Sequence, residues 1–412
     1  MLQLLRTNRD IRLLFIAQVI SFMGDWFAFV AVAGLVDDAT GSELLVSLVM
    51  VAFSLPSFLF SPLGGSVADR FDRRRVLVTV SAVQAVAALG LLLGTTEHVW
   101  VVFVFQGTIS ALAAFVKPAV DAAVPNLARS PEELRTAASL LGATWGVMLA
   151  VGAAIGGVFS EVFGRTACFI ANAVSFVVAG VLFGLIRKRM QTHEVGAARQ
   201  RMRPMADMAE AVRFARRDPV VLALMASKST FAIGAGVVSQ LAVLASDVFD
   251  TGDAGRGALI GARGIGVGLG PIVAMRFARG NIGRILLVCG TAGMAYAALY
   301  IGAAWAPTIG ICAVLVALAH LGGGSQWTLS TYGLQLRTPD EVRGRVMAGD
   351  FAIVTLVISL ASIATGLLSE AVGVRMAMTI GAGAAGVAGV IYLVLTTGLR
   401  RTEMLRAESP PV

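Results

Sequence analysis

Charge is what this 412-residue chain has least of. Aspartate, glutamate, lysine and arginine make up 14% of it, against 57% hydrophobic residues and a mean hydropathy of +0.81. A soluble domain carries about 25% charged residues. This chain lacks the polar residues to cover a water-exposed surface, which excludes a soluble globular protein. Lysine is scarcer still: of 33 basic residues only Lys117, Lys188 and Lys228 are lysine. With abundant Ala, Gly and Val, that bias suggests a GC-rich genome and carries no mechanism. The only cysteines, Cys168, Cys289 and Cys312, lie inside apolar runs and have no metal-ligand spacing. They read as free buried thiols, so neither a metal nor a cofactor is expected. Gly261, Gly264, Gly266, Gly268 and Gly270 are not a nucleotide loop, because no strand precedes them and no Lys-Ser/Thr follows. They allow tight, sliding helix contacts instead. No nucleophile–base pair and no ATP motif stand out, so no catalytic residue is assigned and the chain is not read as an enzyme.

What the chain has in quantity is long apolar runs. A helix needs about 20 mostly apolar residues to cross a bilayer. Twelve such runs follow one another, from about 11–35 to about 373–397. They are continuous rather than alternating, which excludes a strand barrel. The first run is too long for a cleavable signal and is interrupted by Gly24-Asp25-Trp26. The formal charge of +8 does not indicate nucleic-acid binding, because the basic residues sit in short connectors beside apolar spans. Arg6, Arg9 and Arg12, Arg70 to Arg75, Arg276 to Arg284 and Arg337 to Arg345 mark one side. Connectors such as 36–41 and 246–250 mark the other with acids. The arginine-rich side is expected to be cytoplasmic, with both termini inside.

The chain also repeats itself. Gly64 to Arg73 returns as Gly270 to Arg279, Pro131 to Arg135 as Pro339 to Arg343, and Gly157 to Gly164 as Gly366 to Gly373. Three matches in one order at nearly one offset imply two copies of a unit in parallel order. The expected fold is all-α and integral to the membrane: twelve transmembrane helices in two pseudo-symmetric six-helix bundles, with a transport site between the halves. Residues 1–186 form the first bundle and 220–399 the second. Residues 187–219 link them, with an amphipathic surface helix from Met205 to Arg216 stopped by Asp218-Pro219. Residues 400–412 form a cytoplasmic tail.

Between spans two and three stands Gly65-Ser66-Val67-Ala68-Asp69-Arg70-Phe71-Asp72-Arg73-Arg74. It resembles the Gly-x-x-x-Asp-Arg-x-Gly-Arg-Arg loop of the major facilitator superfamily, departing from it at Asp72. Asn8 to Leu14, Ser21 to Trp26, Val124 to Leu127, Pro131 to Ala137 and Arg343 to Val346 are similar to the drug and siderophore exporter branch. That branch includes macrolide exporters, mycobacterial multidrug pumps and an enterobactin exporter. The resemblance implies a conformational latch of Gly65, Asp69, Arg70 and Arg73, with Asp121 on span four receiving Arg73. The second copy has Met275 where the first has Asp69, so the latch is one-sided. Ala153 and Phe103 stand where drug/proton antiporters usually have Pro and Arg.

A charge at mid-membrane is costly and asks for a reason. Asp25 lies near the middle of span one, on one face with Gln18 and Ser21. It reads as a proton or cationic-substrate site, or as a structural acid against a neighbouring helix end, or lies nearer the surface. Lys228 either snorkels, pairs with an acid across the domain interface or contacts substrate. Arg263 lies towards the outer end of span eight. His320 is either a second coupling group or a packed histidine, and Lys117 a snorkelling lysine. Phe22, Trp26, Phe29, Gln326, Trp327 and Tyr332 suit an aromatic-and-amide cavity wall. The whole reads as a monomeric, secondary active exporter of amphipathic small molecules, drugs or secondary metabolites, in a bacterial cytoplasmic membrane. It would be driven by protons and work by alternating access. A lysophospholipid or siderophore transporter is the alternative.

Overall fold

The computed structural model describes residues 2–191, 212–278 and 281–408. Twelve helices among them are long and apolar enough to cross a membrane. They are α1 (Arg9–Thr40), α2 (Glu43–Arg70), α3 (Arg73–Gly90), α4 (Trp100–Leu127), α5 (Pro131–Phe163) and α6 (Arg165–Gly184), followed by α7 (Pro219–Ser239), α8 (Asp253–Ala278), α9 (Ile282–Ala304), α10 (Ile309–Arg337), α11 (Asp340–Val372) and α12 (Val374–Leu395). The described residues contain no strand. Many large apolar side chains on these helices are exposed, among them Val86, Val104, Val158, Leu269, Leu360 and Val387. In water such a surface would aggregate; in a bilayer it meets lipid tails. Helices satisfy their own backbone groups, which lipid cannot do.

Local signals start and stop the spans. Asn8 accepts a hydrogen bond from the Ile11 N–H (3.1 Å), Asp72 from Arg75 (2.9 Å) and Asn281 from Arg284 (3.1 Å). Each satisfies a donor that the first turn leaves open. Gly164 and Gly373 both stand at φ 82, closing α5 and α11 and opening α6 and α12. Their N–H groups donate to Ser160 O (2.8 Å) and Ser369 O (2.7 Å). Only glycine adopts that backbone without strain. The repeated Ser-Glu-x-x-Gly element is therefore one turn built twice.

The chain divides into two compact units. The first holds residues 1–41, 49–202 and 251–261, and the second holds 42–48, 203–250 and 262–412. In the first, α1 packs on α5 and α6, and α3 on α4 and α6. In the second, α7 packs on α11 and α12, and α9 on α10 and α12. The second pattern is the first moved on by six helices, as a parallel repeat requires. Ile11, Leu14, Leu77, Leu127 and Phe183 centre one core; Val221, Leu224, Ile285, Leu286 and Leu334 centre the other. Most of the helix expected over Met205 to Arg216 lies outside the described residues; residues 212–217 are helical. Asp218 then caps α7, accepting from the Val220 N–H at 2.9 Å.

Candidate functional site

In the first unit, α1 is pressed between α5 and α6 through small residues. A Cβ on Gly24 would stand 2.1 Å from Ser175 Oγ, and one on Gly156 3.0 Å from Phe27 Cα. Asp25 follows Gly24. It is partly buried and has neither a hydrogen bond nor an ion pair among the described residues. Gln18 is buried and Ser21 half-buried on the same helix. Trp26 packs against Phe29 (5.5 Å between ring centroids), Phe53 (5.4 Å) and Trp145 (6.2 Å). Trp26 thus stands in an aromatic cluster that includes Phe53 and Trp145, on α2 and α5. Sequence spacing could not link those helices to α1.

In the second unit, Lys228 on α7 is 2% exposed. Its Nζ forms a close ion pair with Asp350 on α11, donates to Thr331 Oγ1 (2.8 Å) and lies 5.2 Å from the Trp327 ring centroid. Lys228 is paired, with an acid of its own unit rather than one across the domain interface, and Asp350 is the partner the sequence did not reveal. The second Asp350 oxygen, Oδ1, is buried without a hydrogen-bond partner. Gln326 is wholly buried and turned onto α7, donating to Ser227 O and to Thr230 Oγ1 (2.9 Å). It ties α10 to α7 through these bonds, and its Oε1 is buried without a hydrogen-bond partner. His320 is also fully buried, its Nε2 2.8 Å from Tyr300 Oη. Arg263 on α8 is partly buried, and its Nε has no partner.

A larger charge cluster escaped the sequence reading. It lies in the first unit, at the end of the spans remote from the arginine-rich connectors. Asp253, at the start of α8, accepts from Arg165 Nε (2.9 Å) and Nη2 (3.1 Å), from Arg256 Nη1 (2.7 Å) and from Ser160 Oγ (2.5 Å). Arg256 also reaches Asp37 (2.5 Å), and Arg165 reaches Asp38 (2.8 Å). Asp253, Arg256 and Asp37 are all buried. Close backbone approach holds them there: a Cβ on Gly257 would stand 2.4 Å from Ala153 O. The Asp253/Arg256 spacing was visible in the sequence, but Asp37 and Asp38 read only as an acidic connector.

At the opposite end, Arg73 donates to the carbonyls of Ala122 (2.7 Å), Met190 (2.8 Å) and Ala68 (3.1 Å). Asp121, the acid expected to receive Arg73, is held by Lys117 one turn earlier (2.7 Å). Both members of that pair are exposed. Arg70 is exposed; Gly65 and the side chain of Asp69 lie outside the described residues. Nearby, Glu133 accepts from Asn8 Nδ2 (2.9 Å) and from the Arg129 N–H (3.0 Å). Slight burial pushes its carboxyl up. The two hydrogen bonds and the charges of Arg129 and Lys188 outweigh that and hold it below the usual glutamate range.

The family described as Transmembrane secretion effector matches residues 5–410. The uncharacterized MFS-type transporter YfiS of Bacillus subtilis (strain 168) is 25% identical over 53% of this chain and 52% of its own length. Macrolide efflux protein A of Streptococcus pyogenes is 23% identical over 41% of this chain and 42% of its own. The chain thus aligns with about half the length, or less, of these relatives. The solved structure of a bacterial homolog to the human lysosomal transporter Spinster superposes with a TM-score of 0.71 at 16% identity, over 98% of both chains. At that identity the likeness is one of fold.

Proposed function

The chain belongs to the Transmembrane secretion effector family of the major facilitator superfamily, and from that premise we propose that it is a proton-coupled exporter of amphipathic small molecules. It is a multi-pass membrane transporter and not an enzyme; cargo and coupling are the proposed parts. Asp25 carries the reading. A carboxylate in the middle of a 32-residue span, with no partner among the described residues, has no structural task to explain it. It can load a proton from one side and release it on the other. His320, closed in with Tyr300, leaves that role to Asp25. Efflux of a macrolide by a relative supports an amphipathic cargo, as does the aromatic cluster at Trp26. The loop of Gly65, Asp69, Arg70 and Arg73, with Asp121, serves as the conformational latch. The protein acts as a monomer in a bacterial cytoplasmic membrane with both termini inside.

Proteoliposomes with a pH-sensitive dye in the lumen test this, using erythromycin as the probe. Macrolide-dependent proton movement is expected in the wild type and lost in Asp25→Asn, which still exchanges macrolide down its gradient. Undiminished proton movement in Asp25→Asn would remove Asp25 as the coupling group.

A further inference from the structure

Among the described residues, Arg263 has no counter-charge, unlike Lys228, Arg165 and Arg256. Lys228 has Asp350, Arg165 has Asp38 and Asp253, and Arg256 has Asp37 and Asp253. Among the described residues, no carboxylate and no hydrogen-bond acceptor reaches the Arg263 guanidinium, and its Nε is buried without a partner. Arginine stays protonated at any working pH, so titration cannot neutralise it. Nor can it escape to the interface. It is ten residues into α8, about 15 Å of helix from the start, which exceeds the reach of its side chain.

Its surroundings belong to the interior of the second unit rather than to lipid. The groups within electrostatic reach are Tyr296, Tyr300 and His320, all fully buried. Tyr300 Oη and His320 Nε2 satisfy each other at 2.8 Å, and Tyr296 Oη donates to Gly234 O at 3.3 Å. That leaves His320 Nδ1 as a second buried nitrogen without a partner. The Tyr300–His320 bond can run in either direction; in the tautomer where the Tyr300 hydroxyl donates to Nε2, the imidazole proton sits on Nδ1. The wall behind them is tight. A Cβ on Gly266 would stand 2.1 Å from Ala317 O, one on Gly270 2.2 Å from Leu321 O, and Ser325 Oγ ties α10 to Gly270 O at 2.9 Å. A guanidinium held against a rigid wall, with no carboxylate or hydrogen-bond partner among the described residues, is placed to receive an anion.

We infer that Arg263 is the anion-recognition residue of a cargo site in the second unit. It takes a carboxylate or phosphate borne by an amphipathic cargo, and His320 is its companion donor. A guanidinium presents two parallel N–H groups to either anion. The inference rests on the transport reading and names its cargo class. An acidic small molecule and a lysophospholipid headgroup share this chemistry.

Equilibrium binding to the full chain in phosphatidylcholine nanodiscs tests it without any gradient, so its failure and that of proton coupling are separable. The probes are N-dodecanoylglycine, its neutral amide, and lysophosphatidic acid. The wild type is expected to bind at least one of the two anions at least tenfold more tightly than the amide. A stronger carboxylate points to an acidic metabolite, a stronger phosphate to a lysophospholipid. Arg263→Gln should bring anion affinity down to that of the amide, and Arg263→Lys should keep part of the preference. Equal binding of anions and amide by the wild type, or a preference retained in Arg263→Gln, would overturn the inference. Ligand-free Arg263→Gln should melt no lower than the wild type; a lower midpoint rescued by Arg263→Lys would make the charge structural and likewise count against it.

Discussion

Two neighbouring stretches of α8 treat charge in opposite ways. In its first turn, Asp253 and Arg256 join Arg165, Asp37 and Asp38 in a network where each charge has an opposite partner within about 3 Å. Two turns further on, Arg263 has no partner among the described residues. The same contrast separates Lys228, neutralised by Asp350, from Asp25, which stands alone. Neutralised charges hold helices in place, at a desolvation cost offset by their partners. Charges without partners contribute nothing to holding the fold, so their retention points to a ligand or a proton.

Breaking a neutralised pair should have the largest effect. Lys228→Met strands a buried Asp350 and is expected to cost about 3–5 kcal/mol of stability, read as a fall in the unfolding midpoint in detergent. Lys228→Met with Asp350→Leu should recover most of that loss. Asp253→Ala removes a carboxylate shared by two guanidiniums but leaves Arg165 with Asp38 and Arg256 with Asp37, and Asp38 is 54% exposed at its side chain so water can enter; about 2–3 kcal/mol is expected. Gly257→Leu, forced against Ala153 O and Gly157 Cα, should cost about 1–3 kcal/mol by the same measurement. Arg263→Met sharpens the comparison from the other side: removing an uncompensated charge should raise the midpoint, by about 1 kcal/mol or more. Glu133→Gln should be smallest, below about 1 kcal/mol, and pH-dependent. The folded-state pKa of Glu133 is lowered, so its contribution is full above the unfolded value near 4.3 and fades as pH falls through the folded value. Wild-type and variant melting curves should therefore converge in acid.

Much of the fold was legible because a bilayer imposes simple rules on sequence. Twelve apolar runs became twelve helices, and the twin glycines Gly164 and Gly373 took one backbone conformation at matching joints. The site was legible in its members and not in their partnerships. Lys228, Arg263 and His320 stood out as polar residues in apolar runs. Asp350, at the edge of its run, did not, and Tyr300 looked like any aromatic. Asp121 was visible, but its partner proved to be Lys117, four residues away on the same helix, where no long-range approach is needed.

Sequence alone determined the number of spans, their parallel duplication and the family. Hydropathy, helical period and glycine conformation act over a few residues, and each span must satisfy its backbone within itself. Only the tertiary structure decided which charges are neutral in practice. An ion pair needs its atoms within about 4 Å, and Arg256 meets Asp37 across 219 positions of sequence, Lys228 meets Asp350 across 122. No local pattern encodes those distances. They are set by how glycines let helices close on one another, and that packing also leaves Asp25 and Arg263 without partners among the described residues.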